Sequence, residues 1–426
     1  MRILRMGLFC VPAFTLVTLV FAAQAPADRV FVGARLVDGT GAPPIDNAVI
    51  VVRGDRIAQI TTMAEPGTIR ADAERIDLRG RTIVPGFVNA HGHVADTKGL
   101  KAAPEFYTRD NLERQLALYG NYGVTTVFSL GGDGPAGVAL RNEPPRGRAR
   151  LFIAGPVITA TTAEAAAADV EKIAALGVDW LKFRVDDNLG TATKMPKEAW
   201  KTVIERGHAK KLPVAAHLFY LDDAKDLLRE GIDVLAHSVR DKPIDNEFVQ
   251  LAKARDVCVV PTLTREVSTF VYESTPAWFT DDFFLRHADT AAVEQLKDPK
   301  RQAGVRANAS AQKYKVALDV ASANLKRMKD AGVRIAFGTD TGPPARFQGY
   351  FEHMELELMV KAGLTPMETI VAATGDAARC MKNTTGLGTL KAGSPADFVI
   401  YREDPTKDIR ATRSIESVWI AGAKMP

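Results

Sequence analysis

The sequence predicts an α/β protein: a (β/α)8 barrel of the TIM type, with a small β-sandwich formed from both ends of the chain. Two observations carry this. Over residues 82–380, strand-like apolar runs alternate with helix-like segments, as repeated βα units do. At both ends the apolar residues instead alternate in period two between clusters of turn residues. A length of 426 residues suffices for one large barrel and a small accessory domain.

In residues 28–81, Val30-Phe31-Val32, Ala48 to Val52 and Arg56 to Ile60 read as strands. They are separated by Asp38-Gly39-Thr40-Gly41 and Gly54-Asp55, so hairpins are expected. In residues 386–426, Ala396 to Tyr401 and Ser417 to Ala421 complete the sandwich. The barrel segment offers eight candidate strands: Thr82–Val88, Val124–Ser129, Leu151–Ala154, Asp179–Phe183, Val214–His217, Val234–His237, Cys258–Leu263 and Arg334–Thr339. A helix over Asp222–Glu230, stopped by Gly231, separates the fifth from the sixth. From Thr264 to Lys329 the chain is far too long for an ordinary βα connection. It leaves from the face where the strands end, so its aromatic residues Phe270, Trp278, Phe279, Phe283 and Phe284 are expected over the active-site mouth.

Residues 1–25 read as a secretory signal. Arg2 and Arg5 precede an apolar run from Met6 to Ala23, and Ala23-Gln24-Ala25 offers a small-residue cleavage site. Pro26 disfavours that site, so Ala25-Pro26-Ala27 and Val20-Phe21-Ala22 are alternatives. The run is shorter than the ~20 apolar residues of a spanning helix, so no stable membrane span is expected after cleavage. The expected location is secreted, in the periplasm. Cleavage leaves only Cys258 and Cys380, which predict no disulfide framework and have no metal-ligand spacing. Lys and Arg are dispersed without a basic stripe, which argues against nucleic acid. The partner expected is a small-molecule substrate, with homo-oligomerisation left open.

The chemistry starts at Pro85-Gly86-Phe87-Val88-Asn89-Ala90-His91-Gly92-His93. Alternate strand residues point the same way, so His91 and His93 both face the barrel interior at its C-terminal end and can share a divalent metal. His217 and His237 end the fifth and sixth strands and Asp340 follows the eighth. Each histidine alone also fits a hydrogen-bonded core residue. Together they converge on one cavity, where a buried carboxylate needs a cation. Lys182 lies within a barrel strand, where burial lowers an amine's pKa. It either pairs with Asp340 or Asp186, or adds carbon dioxide to become a carbamate able to bridge two metals.

This set, with the terminal run Gly388-Thr389-Leu390-Lys391-Ala392-Gly393-Ser394-Pro395-Ala396-Asp397, resembles the amidohydrolase superfamily, in its imidazolonepropionase-like and prolidase-like branch. The resemblance covers essentially the whole mature chain. It implies two divalent ions, with zinc the first choice and cobalt or manganese able to substitute. His91, His93 and Asp340 would hold the more buried ion and His217 with His237 the second, bridged by N6-carboxylated Lys182. The expected activity is hydrolysis of an amide or peptide-like C–N bond of a small molecule, by a metal-bridging hydroxide with Asp340 as general base and then acid. The same centre also suits an ester, lactone, carbamate or phosphotriester. A non-catalytic relative would be expected to have lost ligands, and this chain keeps all six.

Substrate contacts are less legible. Arg184, Arg240 and Tyr220 follow the ligand positions; an arginine there can bind a carboxylate and Tyr220 can donate to an oxyanion. The alternative is structural pairing of Arg184 with Asp186 or Asp187, and of Arg240 with Asp241. His353, His208 and His287 read as helix-surface or surface residues.

Overall fold

The computed structural model describes residues 28–383 and 385–426; the expected signal over residues 1–25 lies outside them. No helix among the described residues is long and apolar enough to cross a membrane.

The two chain ends do share one β structure. Arg29–Leu36, Ile45–Arg53 and Arg56–Thr62 form an antiparallel meander. Phe398–Tyr401 lies antiparallel on Thr82–Pro85, and Ile415–Ile420 follows it. The expected sandwich of two sheets is instead hydrogen-bonded as a single eight-stranded sheet. The reason lies in Arg29–Leu36, which bonds along both edges: to Ile45–Arg53 on one side, and to Glu74–Asp77 and Thr82–Pro85 on the other. Phe31 packs edge-on against Phe398 and Trp419, at ring separations of 5.1 and 4.9 Å, which joins the two chain ends through apolar burial.

The expected strand Thr82–Val88 is two strands. Thr82–Pro85 belongs to the terminal sheet, whereas Phe87–Gly92 starts a parallel one. Gly86 is the joint: a Cβ there would come within 2.1 Å of the Thr125 side chain, so only glycine lets the chain cross so close to its neighbour. Phe87–Gly92, Val124–Ser129 and Arg150–Ile153 form a three-stranded parallel sheet. Leu181–Arg184, Val214–His217, Val234–Ala236 and Cys258–Val260 form a four-stranded one. Ile158 bridges to Phe183, linking the region after Arg150–Ile153 to the second sheet.

The eighth candidate, Arg334–Thr339, makes backbone bonds on both sides without forming a regular strand. Ala336 N donates to Val259 O, and Ala90 N donates to Phe337 O across the other edge. Gly338 permits the approach, since a Cβ there would sit 2.8 Å from the backbone nitrogen of His91. The helix foreseen over Asp222–Glu230 runs Leu221–Glu230. It buries Leu221, Ala224, Leu227 and Leu228 on one face and ends at Gly231, whose φ of 89° suits a residue without Cβ.

The long connection folds into several short helices and one long one, Ala309–Asp330. Phe284 lines a cavity with Gly342, Pro343 and Arg346, close to Asp340. Trp278, Phe279, Phe283 and Phe284 pack with one another and with Tyr122, Tyr350 and Phe351, as a separate aromatic core. Phe270 instead lies beneath the Lys315 ammonium. Apolar surface in a surface-exposed connection needs its own core, and here a neighbouring helix, Tyr350–Lys361, supplies the other half.

Cys258 and Cys380, unpaired in the sequence reading, form a disulfide across 122 residues. It ties the start of Cys258–Val260 to the end of the helix Gly375–Cys380. The chain-entropy argument assigns a loop of this length about 4–5 kcal/mol. Cys258→Ser, or reduction of the wild-type chain, is therefore expected to lower the unfolding free energy by about that much in urea titrations. Equal midpoints with and without reductant would rule out a stabilising bond.

Candidate metal centre

Six polar side chains from five strand ends meet in a largely buried space. His91, Lys182 and His237 are almost wholly buried, and His93, His217 and Asp340 nearly so. His91, His93 and Asp340 offer ligand atoms that all lie within 4.8 Å of one another. The rings of His91 and His237 are 4.7 Å apart and those of His237 and His217 are 4.2 Å apart, so the four imidazoles form one continuous cluster. Lys182 Nζ stands 3.2 Å from His91 Nε2. It makes no direct ion pair with Asp340 or Asp186 among the described residues, although both carboxylates are near enough to favour its charged form.

Hydrogen bonds at the far side of each ring decide which nitrogen faces inward. His93 Nδ1 lies 3.0 Å from the carbonyl of Gly131, which can only accept, so Nδ1 carries a proton and Nε2 is the nitrogen turned inward. Nε2 faces Asp340 Oδ1, 2.9 Å away, and this carboxylate holds the ring's pKa above the usual imidazole value despite burial. Two electron-rich atoms do not sit so close in a buried site without a cation or a proton between them. His237 Nδ1 meets the Thr262 hydroxyl at 2.6 Å, while its Nε2 is buried without a partner. The donor set of imidazole and carboxylate, with unpartnered nitrogens turned inward, fits a borderline-soft divalent metal.

The electrostatics agree. Burial holds His91 and His237 well below the usual imidazole range and His217 down to about 4, despite Asp186 beside it, so these rings are neutral and able to ligate. Burial also pushes Asp340 up, but the Arg346 guanidinium with His91 and His93 outweighs it and keeps the carboxyl ionised. Burial lowers Lys182 to about 7, so much of it is a neutral amine at neutral pH. Backbone strain concentrates here as well: Asp340, Thr262 and His237 have φ of 58°, 49° and 146°. Such conformations cost of order 1–3 kcal/mol each and persist where surrounding contacts hold them.

The residues expected to meet substrate are largely engaged elsewhere. Arg240 is buried; its Nη1 donates to the carbonyls of Leu218 and Ser238, and its Nε lies 2.9 Å from Glu266, the partner expected to be Asp241. Tyr220 donates to Asp187 at 2.9 Å. Arg184 is half-buried, pairs with neither Asp186 nor Asp187 among the described residues, and its Nε lacks a partner. His353, read as a surface residue, is fully buried between the Tyr122 carbonyl and the Thr412 hydroxyl; its helix packs on more than one face, which a single amphipathic stripe does not reveal. His208 and His287 are exposed, as expected. Arg346, which pairs with Asp340 Oδ2, was missed; only the turn through Gly342-Pro343 brings it back. Gly131 and Thr262 were missed too, because a carbonyl and a hydroxyl carry no readable signature.

The chain belongs to the amidohydrolase family, whose sequence profile matches residues 82–425. It is similar to the imidazolonepropionase of Geobacillus kaustophilus (strain HTA426), with 24% identity over 432 residues, covering 92% of this chain and 91% of that one. Among solved structures it resembles a Xaa-Pro dipeptidase with methionine bound in its active site, at a TM-score of 0.76 and 21% identity over 93% of this chain and 99% of that one. It also resembles the ochratoxinase of A. niger, at a TM-score of 0.73 and 18% identity over 94% and 96% of the two chains. The protein is a metal-dependent hydrolase acting on carbon–nitrogen bonds.

His91→Ala and His237→Ala each remove one inward-facing lone pair. Both variants are expected to lose bound divalent metal, measured by elemental analysis, while remaining folded by circular dichroism. Folded wild-type protein free of metal after reconstitution would overturn the centre.

Proposed function

We propose that this protein hydrolyses an amide or peptide-like C–N bond of a small molecule at a binuclear centre, at the mouth of a closed (β/α)8 barrel. The observation that carries the reading is the inward convergence of imidazole nitrogens on an ionised carboxylate. His91, His93 and Asp340 would hold one ion, His217 and His237 the other, and carboxylated Lys182 would lie between them; zinc suits this donor set. When bound, such ions acidify water and polarise a carbonyl, so no nucleophilic side chain is needed.

The chain's own residues supply the proton path. Asp340 takes the proton released by the attacking water and returns it to the departing nitrogen. Arg346, paired with its second oxygen, orients the carboxylate and favours the ionised form that accepts a proton. Lys182 is suited to carboxylation because its buried amine is readily neutral. The nitrogen lone pair attacks carbon dioxide, a C–N bond forms, one proton leaves, and an anionic carbamate remains. Tyr220 and Arg184 remain the candidates for substrate contact at the rim; Arg240, buried and held by the Leu218 and Ser238 carbonyls and by Glu266, would act by buttressing the wall. Pairing of Cys258 with Cys380 supports export to an oxidising compartment, the periplasm.

Lys182→Ala is expected to abolish hydrolysis, and acetate supplied without bicarbonate to restore part of it. An unmodified amine mass at Lys182 in active, metal-replete protein would refute the carbamate. A panel of matched amide, ester and phosphotriester substrates is expected to show the highest kcat/KM for the amide; a clear preference for either of the others would reassign the bond.

A further inference from the structure

Asp186 stands just beyond the strand Leu181–Arg184, only 1% exposed, with its two oxygens committed differently. Oδ1 accepts the backbone N–H of Asn188 at 2.8 Å. Oδ2 is buried without a well-aligned hydrogen bond among the described residues, and the nearest nitrogen that could satisfy it is His217 Nε2, 3.0 Å away in an ion-pair approach. A carboxylate can only accept, so the ring nitrogen facing it must carry the proton. Resting on the reading of His217 as a metal ligand, we propose that Asp186 is a positioning residue. It fixes the tautomer of His217 with the proton on Nε2 and the lone pair on Nδ1, the nitrogen left free to ligate a divalent ion.

The local geometry makes this separable from a merely structural role. In Asp186→Asn the amide cannot choose its orientation, because the Asn188 N–H requires an oxygen at the Oδ1 position. The amide NH2 must then face His217 and donate to Nε2, which moves the ring proton to Nδ1 and blocks ligation. The isosteric variant therefore enforces the wrong tautomer. In Asp186→Ala the ring is released and can still reach the ligating tautomer, but the Asn188 N–H loses its acceptor. Metal affinity should rank wild type over Ala over Asn, whereas stability should rank wild type over Asn over Ala. A structural role alone predicts the same order for both.

The test is titration of the full-length apo chains with Co2+, followed by the visible d–d absorption and by equilibrium dialysis, with urea unfolding midpoints measured alongside. Wild type is expected to take up about two ions. Asp186→Ala should bind the weaker of them about 10–100-fold less tightly, the usual effect of removing a partner of a ligating histidine. Asp186→Asn should lose that ion's absorption band yet keep a higher unfolding midpoint than Asp186→Ala. A wild-type chain that binds two ions beside an Asn variant that binds both as tightly as Ala or better overturns this assignment alone. A wild-type chain that binds none overturns the metal centre and this assignment together.

Discussion

His93 Nε2 meets Asp340 Oδ1 across 2.9 Å in a largely buried site, and much of the molecule is arranged to hold that contact. The Gly131 carbonyl accepts from Nδ1 and so keeps Nε2 turned toward the carboxylate. The same logic recurs at His237, where the Thr262 hydroxyl takes one nitrogen and leaves the other buried and unpartnered. Polar atoms so treated cost free energy unless a cation satisfies them. The fold keeps them because the inner ring nitrogens cannot turn away.

What prevents the turning is a second layer of buried polar groups. Asn89 accepts from the His91 backbone N–H through its side-chain oxygen and donates to Glu352 and Thr339. Glu352 also takes the hydroxyls of Thr339 and Thr341, the residues on either side of Asp340. Glu355, one helical turn on, accepts the N–H groups of Leu263 and Thr264, immediately beyond Thr262. One helix, Tyr350–Lys361, thus secures the segments that carry Asp340 and the Thr262 contact to His237. The positive φ values of Asp340 and Thr262 are held by these bonds, since neither residue would adopt them unaided.

The periphery follows from the same need for rigidity. Arg240 and Arg265 share Glu266, and Arg265 lies 4.1 Å over the ring of Tyr314, so the long connection is fastened to the barrel side by charge and stacking. Its aromatic residues build a separate core against Tyr350 and Phe351, on the helix that carries Glu352 and Glu355. The connection therefore braces that helix from outside.

The sequence by itself determined the class of fold and picked out the side chains that the fold brings together around His91. Period-two and βα patterns are local, and a histidine or aspartate at the end of an apolar run is visible without knowing its neighbours; the segments Val124–Ser129 and Val214–His217 were legible to the residue. What depended on contacts distant in the chain was not legible. The break at Gly86, the single terminal sheet, the burial of His353, the pairing of Cys258 with Cys380 and the return of Arg346 onto Asp340 each require two segments to meet, and sequence periodicity carries no information about which will. The tautomer of each histidine lies at the extreme of this divide. It is set by a carbonyl, a hydroxyl or a carboxylate on another segment, so only the tertiary structure could decide which nitrogen faces the centre.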